Sequence, residues 1–125
     1  MVEEAAQLVG ALVFINGIYD MACAASHILG LQNTLTRMHG DIFKDAAIDQ
    51  QTAQRLLGYW IFTYGTARLM LPMDKCTCQG MVASNYFAEA IAYFTEGFIY
   101  KTADKKKAAW VSATSFALGF CTLLL

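Results

Sequence analysis

Four long apolar segments alternate with short polar connections along the chain, at residues 5–31, 53–73, 80–100 and 108–125. At about 1.5 Å per residue, an α-helix of this length crosses a bilayer core of about 30 Å, and the fourth segment only just reaches it. The connection at residues 74–79 is so short that the second and third segments must form a hairpin. The pattern predicts an all-α fold, a four-helix transmembrane bundle of two antiparallel helical hairpins, with residues 1–125 as a single integral membrane domain.

Polar and ionisable side chains recur inside these apolar segments. Within a segment they fall mainly at steps of three, four or seven residues, which places them on one face of a helix. The predicted intramembrane polar network comprises Asn16, Asp20, His27, Arg68, Asn85, Glu89 and Glu96. An acid near the centre of a membrane helix costs about 2.5–3.5 kcal/mol, so we expect other protein to cover these groups. The alternative interpretation is that they are ordinary hydrogen-bonded packing groups.

Position along the segments indicates which of these groups pair. Asp20 and Glu89 lie near mid-membrane, and Arg68 lies five residues before the end of its segment. His27 and Glu96 lie toward the opposite side of the membrane from Arg68. We therefore predict that Arg68 pairs with Glu89 or Asp20, and that His27 pairs with Glu96.

Small residues form a second stripe on the first segment. Gly10, Gly17 and Ala24 follow one another at a spacing of seven residues. Small residues on one face of a membrane helix let another backbone approach closely. The first segment is therefore expected to pack tightly against a neighbouring helix along this stripe.

Composition supports the membrane assignment. The chain is 57% hydrophobic and only 15% charged, which is too apolar for a soluble domain of 125 residues. A net charge of −1 without a basic stripe excludes a nucleic-acid-binding surface. We expect other integral membrane proteins and membrane lipids as partners.

Basic residues are concentrated in two connections, residues 32–52 and 101–107, with Arg55 close to the end of the first. On the other side of the membrane, Lys75 is the one basic residue outside the spans. The side with the two connections carries seven: Arg37, Lys44, Arg55, Lys101, Lys105, Lys106 and Lys107. The positive-inside rule places these two connections on the cytosolic, stromal or matrix side and both termini on the far side.

A spaced motif runs through the second and third segments. It comprises Arg55, Gly58, Trp60, Arg68, Asp74, Glu96, Phe98, Tyr100, Thr102 and Ala103. Over residues 53–103 this pattern resembles the ergosterol-biosynthesis scaffold family of small four-helix endoplasmic reticulum proteins. The resemblance implies a non-catalytic tether, in the endoplasmic reticulum membrane, that holds the sterol C-4 demethylation enzymes together.

Other candidate chemistry is sparse. Cys76 and Cys78 share a short connection. Two thiols do not complete a tetrahedral zinc site, so we predict no metal. The two cysteines form either a disulfide or plain thiols. His27 is either a packing histidine or a lone pigment ligand, because His39, the second histidine that a bis-histidine haem would need, lies beyond the span. No cofactor is predicted. Bound lipid, sterol or pigment along the aromatic residues of the third segment, and anionic lipid at residues 105–107, are alternatives.

The leading interpretation is a non-catalytic polytopic membrane scaffold. No zinc-protease motif, histidine box, serine elbow or phosphate loop is present, so we predict no enzyme. One alternative is an accessory transmembrane subunit of a photosynthetic or respiratory complex, in the thylakoid or mitochondrial inner membrane. The second alternative is a small proton-coupled exporter, because Asp20 in the first of four helices is similar to the plan of small multidrug transporters.

Overall fold

The structure is a computed structural model that describes residues 2–31, 33–35, 50–73 and 75–125. These residues form four α-helices: α1 (Val2–Ile28), α2 (Gln50–Met70), α3 (Lys75–Phe94) and α4 (Lys105–Leu123). A π-helical turn, Thr95–Ile99, extends α3 toward the α3–α4 connection. The predicted all-α class is therefore confirmed for the described part of the chain.

The four helices pack as two antiparallel pairs. In the first pair, Gly17 of α1 lies against Leu69 of α2, whereas Gly58 of α2 lies against Ile28 near the other end of α1. In the second pair, Gln79 at the start of α3 donates hydrogen bonds of 2.9 and 3.1 Å to two main-chain carbonyls at the end of α4. Packing within each pair is far more extensive than packing between the pairs.

The helices begin and end a few residues away from the predicted segment limits. α1 ends at Ile28 rather than residue 31 because Gly30 has a left-handed φ of 67°, and the amides of Gly30 and Leu31 bond back to His27 and Ser26 carbonyls. This arrangement is the usual glycine-dependent end of an α-helix. α2 ends at Met70, just before Pro72, whose ring disfavours helix in the preceding residue.

Two predicted connections are shorter than expected. Residues 75–79 were predicted to be loop but form the start of α3. The lysines at residues 105–107 were also predicted to be loop but form the first turn of α4, because the Asp104 carboxylate accepts hydrogen bonds from the Lys106 and Lys107 amides at 3.1 and 3.0 Å. The predicted connection 32–52 lies largely outside the described residues, and Arg37, His39, Lys44 and Asp74 lie outside them too.

The bundle buries charged side chains and exposes large apolar ones, which a water-soluble helical domain usually avoids. The buried residues include seven polar or charged side chains: Asp20, Ser26, His27, Arg68, Glu89, Ser115 and Thr122. Apolar clusters, which include Val13, Ile61 and Val82, pack around them. Large apolar side chains are also exposed on all four helices, including Trp110 at 74% exposure, and Leu29 just after α1 is 70% exposed.

Within the described helices, a single stretch combines the length and the apolar composition needed to cross a membrane. It is Glu3–Ile28, near the N-terminus, with a mean hydropathy of 1.7. α2 contains Arg55 and Arg68, α3 contains Glu89, and α4 begins with three lysines, which lowers their mean hydropathy.

Candidate functional site

Arg68 of α2 lies at the centre of the bundle and binds two acids from two other helices. Its Nη1 is 2.5 Å from Oδ2 of Asp20 on α1, and its Nη2 is 2.6 Å from Oε2 of Glu89 on α3. The Arg68 side chain is 1% exposed. The sequence predicted one of these two acids as the partner, and the structure brings both to the same guanidinium group.

Neutral side chains donate further hydrogen bonds to the two acids of this ion triad. Ser115 of α4 donates to Glu89 Oε2 at 3.0 Å, and Asn16 Nδ2 donates to Asp20 Oδ1 at 3.3 Å. The Tyr86 hydroxyl in turn donates to Asn16 Oδ1 at 2.9 Å. We call this set the Arg68 cluster: Asn16, Asp20, Arg68, Tyr86, Glu89 and Ser115. Each of the four helices contributes at least one member.

Aromatic rings shield the guanidinium group. The Arg68 Cζ lies 3.8 Å from the centroid of the Tyr86 ring and 4.4 Å from that of Tyr64. A cation held over aromatic faces in a desolvated site is attracted to them by up to about 2 kcal/mol each. Arg68 is thus held by carboxylates and by rings, and the cluster joins helices rather than presenting a charge to the outside.

The predicted pairing of His27 with Glu96 is wrong. Both side chains are described and no ion pair joins them; the Glu96 carboxylate accepts a hydrogen bond from the Thr102 hydroxyl instead. His27 and Glu96 belong to different helix pairs, and α1 makes little contact with α3 or its π-helical extension. His27 is buried beside Gly58.

Asn85 is a second predicted member that the structure leaves outside the cluster. It is half-buried on α3 and is not hydrogen-bonded to any cluster residue. Sequence reasoning, in turn, missed Ser115 and Tyr86. A small polar residue in an apolar helix was the only signal for Ser115, and the sequence of one helix does not show which residue of another it faces.

The motif residues behind the family resemblance have packing roles in the described structure. Gly58 allows α1 to approach α2, since a Cβ there would lie 2.9 Å from an Ile28 side-chain carbon. Trp60 packs edge-on against Tyr64, with ring centroids 5.6 Å apart, and contacts Tyr93 at 6.2 Å. Arg55 is exposed near the start of α2.

The later part of the motif forms the turn between α3 and α4. The Glu96 carbonyl accepts hydrogen bonds from the Thr102 and Ala103 amides at 3.0 and 3.2 Å, while the Glu96 carboxylate accepts from the Thr102 hydroxyl. Ala103 packs beside Tyr93, and Phe98 and Tyr100 are exposed. The spacing Glu-x-Phe-x-Tyr-x-Thr-Ala therefore corresponds to a hydrogen-bonded helix-to-helix turn.

The cysteines and the histidines do not gather into a site within the described residues. No group of three or more His, Cys, Asp and Glu side chains suited to a metal ion occurs there. Cys78 is a buried free thiol on α3, and the Cys76 side chain lies outside the described set.

The fold and the cluster define a class: a small all-helical protein with a buried charge cluster and many exposed apolar side chains. Comparison with family models, curated proteins and solved structures found no match for the chain. The resemblance to the scaffold family therefore rests on the motif residues alone.

Proposed function

We propose that the chain spans a membrane four times and acts as a non-catalytic scaffold for other membrane proteins. The observation that carries the proposal is that buried charges occur together with many exposed large apolar side chains: Arg68 is almost fully buried, whereas Trp110 and Leu29 are mostly exposed. In water, this arrangement would desolvate charges and leave aromatic and aliphatic surface hydrated, and both effects are unfavourable. In a lipid bilayer, the same arrangement buries the charges and solvates the apolar surface.

The charges on the less apolar helices are compatible with this placement. Arg68 pairs with both Asp20 and Glu89 inside the bundle, and intramembrane ions are tolerated when they face protein and pair. The lysines that begin α4 and Arg55 near the start of α2 lie at one end of the bundle, where the headgroup region would solvate them. Only 28% of the candidate span in α1 is buried, whereas the core helix of a soluble protein would be mostly buried.

A scaffold role follows from what the molecule offers to its surroundings. Asp20 and Glu89 are bonded to Arg68, Asn16 and Ser115 inside the chain, so they are not presented to a substrate or to a partner. The sequence led us to expect that other proteins shield these acids. In the structure, the other helices of the same chain shield them. The surface left for partners is the apolar outer face. The motif at residues 53–103 supports the sterol C-4 demethylation enzymes, in the endoplasmic reticulum, as those partners.

Affinity purification from native membranes, followed by mass spectrometry, tests the proposal. The tagged wild-type chain is expected to capture sterol C-4 demethylation enzymes. A tagged Arg68→Ala chain, whose bundle should be destabilised, is the matched control and is expected to capture less of them. Recovery of photosystem or respiratory subunits would instead assign the chain to the accessory-subunit alternative. Recovery of no membrane protein with either bait would contradict the scaffold role.

The exporter alternative receives no support from the site. A proton-coupled exporter needs an accessible acid that binds a proton and substrate alternately. Asp20 is instead bonded to both Arg68 and Asn16. Substrate transport by proteoliposomes that is abolished by Asp20→Asn, in a variant that still folds, would revive this alternative.

A further inference from the structure

The outer face of the α3–α4 pair carries a cleft that the Arg68 cluster does not use. Its volume is about 530 Å³, within the range of small-molecule pockets in proteins. The floor is a stripe of small residues on α4, Ala109, Ala113 and Ala117. The walls are phenylalanines from both helices: Phe94, Phe98 and Phe116. The cleft is open toward the outside of the bundle, which is the lipid side under the proposed function.

The cleft ends beside a cation. Lys105 lies four residues before Ala109 and therefore on the same stripe of α4. Its ammonium nitrogen is 5.4 Å from the centroid of the Phe98 ring, one of the cleft walls. Lys101, Lys106 and Lys107 are exposed at the same end. Asp104, the nearest acid on α4, has its carboxylate engaged by main-chain amides.

We propose that this cleft binds an anionic phospholipid, with one acyl chain along the alanine floor and the phosphate at Lys105. The inference rests on the membrane placement proposed above. The length of the cleft floor and the positive charge at its end both favour this occupant. The floor from Ala109 to Ala117 covers nine residues and rises by about 12 Å, which is close to half of the bilayer core. An acyl chain fills one leaflet, whereas a partner helix would need a groove about twice as long.

The basic end distinguishes a phospholipid from an uncharged occupant. A sterol would fill the same depth, but its hydroxyl group gains nothing from a lysine. A basic residue close to an anionic headgroup favours it by about 1 kcal/mol, which corresponds to about a fivefold preference over a zwitterionic lipid.

Trp110, which is adjacent to Ala109 and 74% exposed, provides a fluorescent reporter. The full chain is reconstituted in phosphatidylcholine vesicles that contain, at equal mole fraction, either brominated phosphatidylglycerol or brominated phosphatidylcholine as quencher. Brominated phosphatidylglycerol is expected to bind near Trp110 about fivefold more strongly. The preference should be lost in Lys105→Gln and in Ala113→Phe, which fills the cleft floor. Lys75→Gln at the other end of the bundle and Ala25→Phe on the exposed face of α1 are the matched controls and should retain it.

Three results would overturn the proposal. Equal quenching by the two brominated lipids would remove the anionic selectivity and leave the membrane placement intact. Stronger quenching by a brominated sterol, sensitive to Ala113→Phe and not to Lys105→Gln, would assign the cleft to a sterol. Absence of quenching by any brominated lipid would show that α4 does not contact the bilayer, and the proposed function would then fail together with the cleft assignment.

Discussion

Arg68 illustrates how a buried charge gives a bundle its register. Burying a guanidinium group and two carboxylates is costly, and apolar residues of similar volume often stabilise a protein as well or better. The triad does, however, fix the relative positions of α1, α2 and α3, since sliding any helix by one turn, about 5.4 Å, would separate the charges. We infer that the cluster selects one arrangement of helices whose apolar surfaces would otherwise pack in several ways.

Replacing Arg68 should therefore be severe. Arg68→Ala leaves Asp20 and Glu89 buried without a countercharge, and we expect a loss of about 3–5 kcal/mol in the free energy of unfolding. Reversible unfolding in detergent micelles, followed by circular dichroism, measures the loss. Arg55→Ala, which removes an exposed arginine from the same helix, is the control and should cost no more than about 1 kcal/mol.

The double variant Arg68→Ala with Glu89→Gln tests whether stranded charge causes the loss. Neutralising one of the two acids should recover part of the stability lost in Arg68→Ala. If the double variant is no more stable than Arg68→Ala, the loss reflects missing packing or another partner, and the charge argument does not hold.

Two serines of α4 donate hydrogen bonds to different kinds of acceptor on α3. Ser115 donates to the Glu89 carboxyl group that pairs with Arg68, whereas Ser112 donates to the Ala90 main-chain carbonyl at 2.8 Å. Hydrogen bonds to charged groups contribute about 1.5–3 kcal/mol, and neutral ones about 0.5–1.5 kcal/mol. Ser115→Ala should thus lower the unfolding free energy more than Ser112→Ala in the same unfolding measurement. Equal losses would mean that the bond to Glu89 adds nothing beyond an ordinary hydrogen bond.

At the residue scale, the sequence predicts the acid partners of Arg68 better than it predicts the neutral side chains that bond to those acids. Arg68 inside an apolar segment requires an acid, and few acids lie at a suitable depth, so its partners could be predicted. Ser115 resembles other small polar residues of α4, such as Ser112, and only the packing of α4 on α3 distinguishes them. The pairing of His27 with Glu96 failed because similar depth along two segments does not show that the two helices are in contact, and α1 packs mainly on α2.

At the scale of elements, glycines control how closely α1 and α2 approach. A Cβ at Gly65 would lie 2.9 Å from the Cβ of Asp20, closer than real side chains come. Gly17 packs in the same way against Leu69, whereas Gly10 has no atom within 4 Å of its would-be Cβ. The predicted stripe of small residues thus lies at the α1–α2 contact for Gly17 and the buried Ala24, but not for Gly10.

Substituting these glycines should have opposite effects. Gly65→Ala forces α1 and α2 apart at the level of Asp20, and we expect a loss of about 1–3 kcal/mol. Gly10→Ala meets no neighbour and restricts the unfolded chain, so it should be neutral or stabilise by up to about 1 kcal/mol. Melting temperatures of the two variants in one detergent measure the difference. A destabilised Gly10→Ala together with an unchanged Gly65→Ala would contradict the proposed close contact.

The ends of the helices were harder to predict than their existence. Hydrophobic length located four helices, but the start of α3 was placed too late because Lys75 and its polar neighbours are typical of loops. The start of α4 depends on the Asp104 cap, which was not recognised among the surrounding lysines. Capping interactions of this kind use polar residues, and apolar periodicity does not detect them.

At the scale of the whole molecule, the proposed membrane placement has a definite polarity. The described basic residues, apart from Arg68 and Lys75, lie at the end of the bundle that contains the α3–α4 turn, and Glu3 and Glu4 lie at the opposite end. The positive-inside rule then orients the basic end toward the cytosol, stroma or matrix.

Accessibility of single cysteines to a membrane-impermeant maleimide tests this orientation in sealed vesicles whose outer surface is the predicted basic side. In a cysteine-free background, Lys106→Cys should react without detergent, and Glu3→Cys only after the vesicles are opened. Ile91→Cys provides the decisive comparison, because Ile91 is 59% exposed in the isolated chain yet lies in the middle of the proposed bilayer. Thiols react as thiolates, which do not form in hydrocarbon, so Ile91→Cys should stay unlabelled even in vesicles opened without dissolving the bilayer. Labelling at Ile91→Cys as fast as at Lys106→Cys would mean that the apolar exterior faces water, and the four-span proposal would then be wrong.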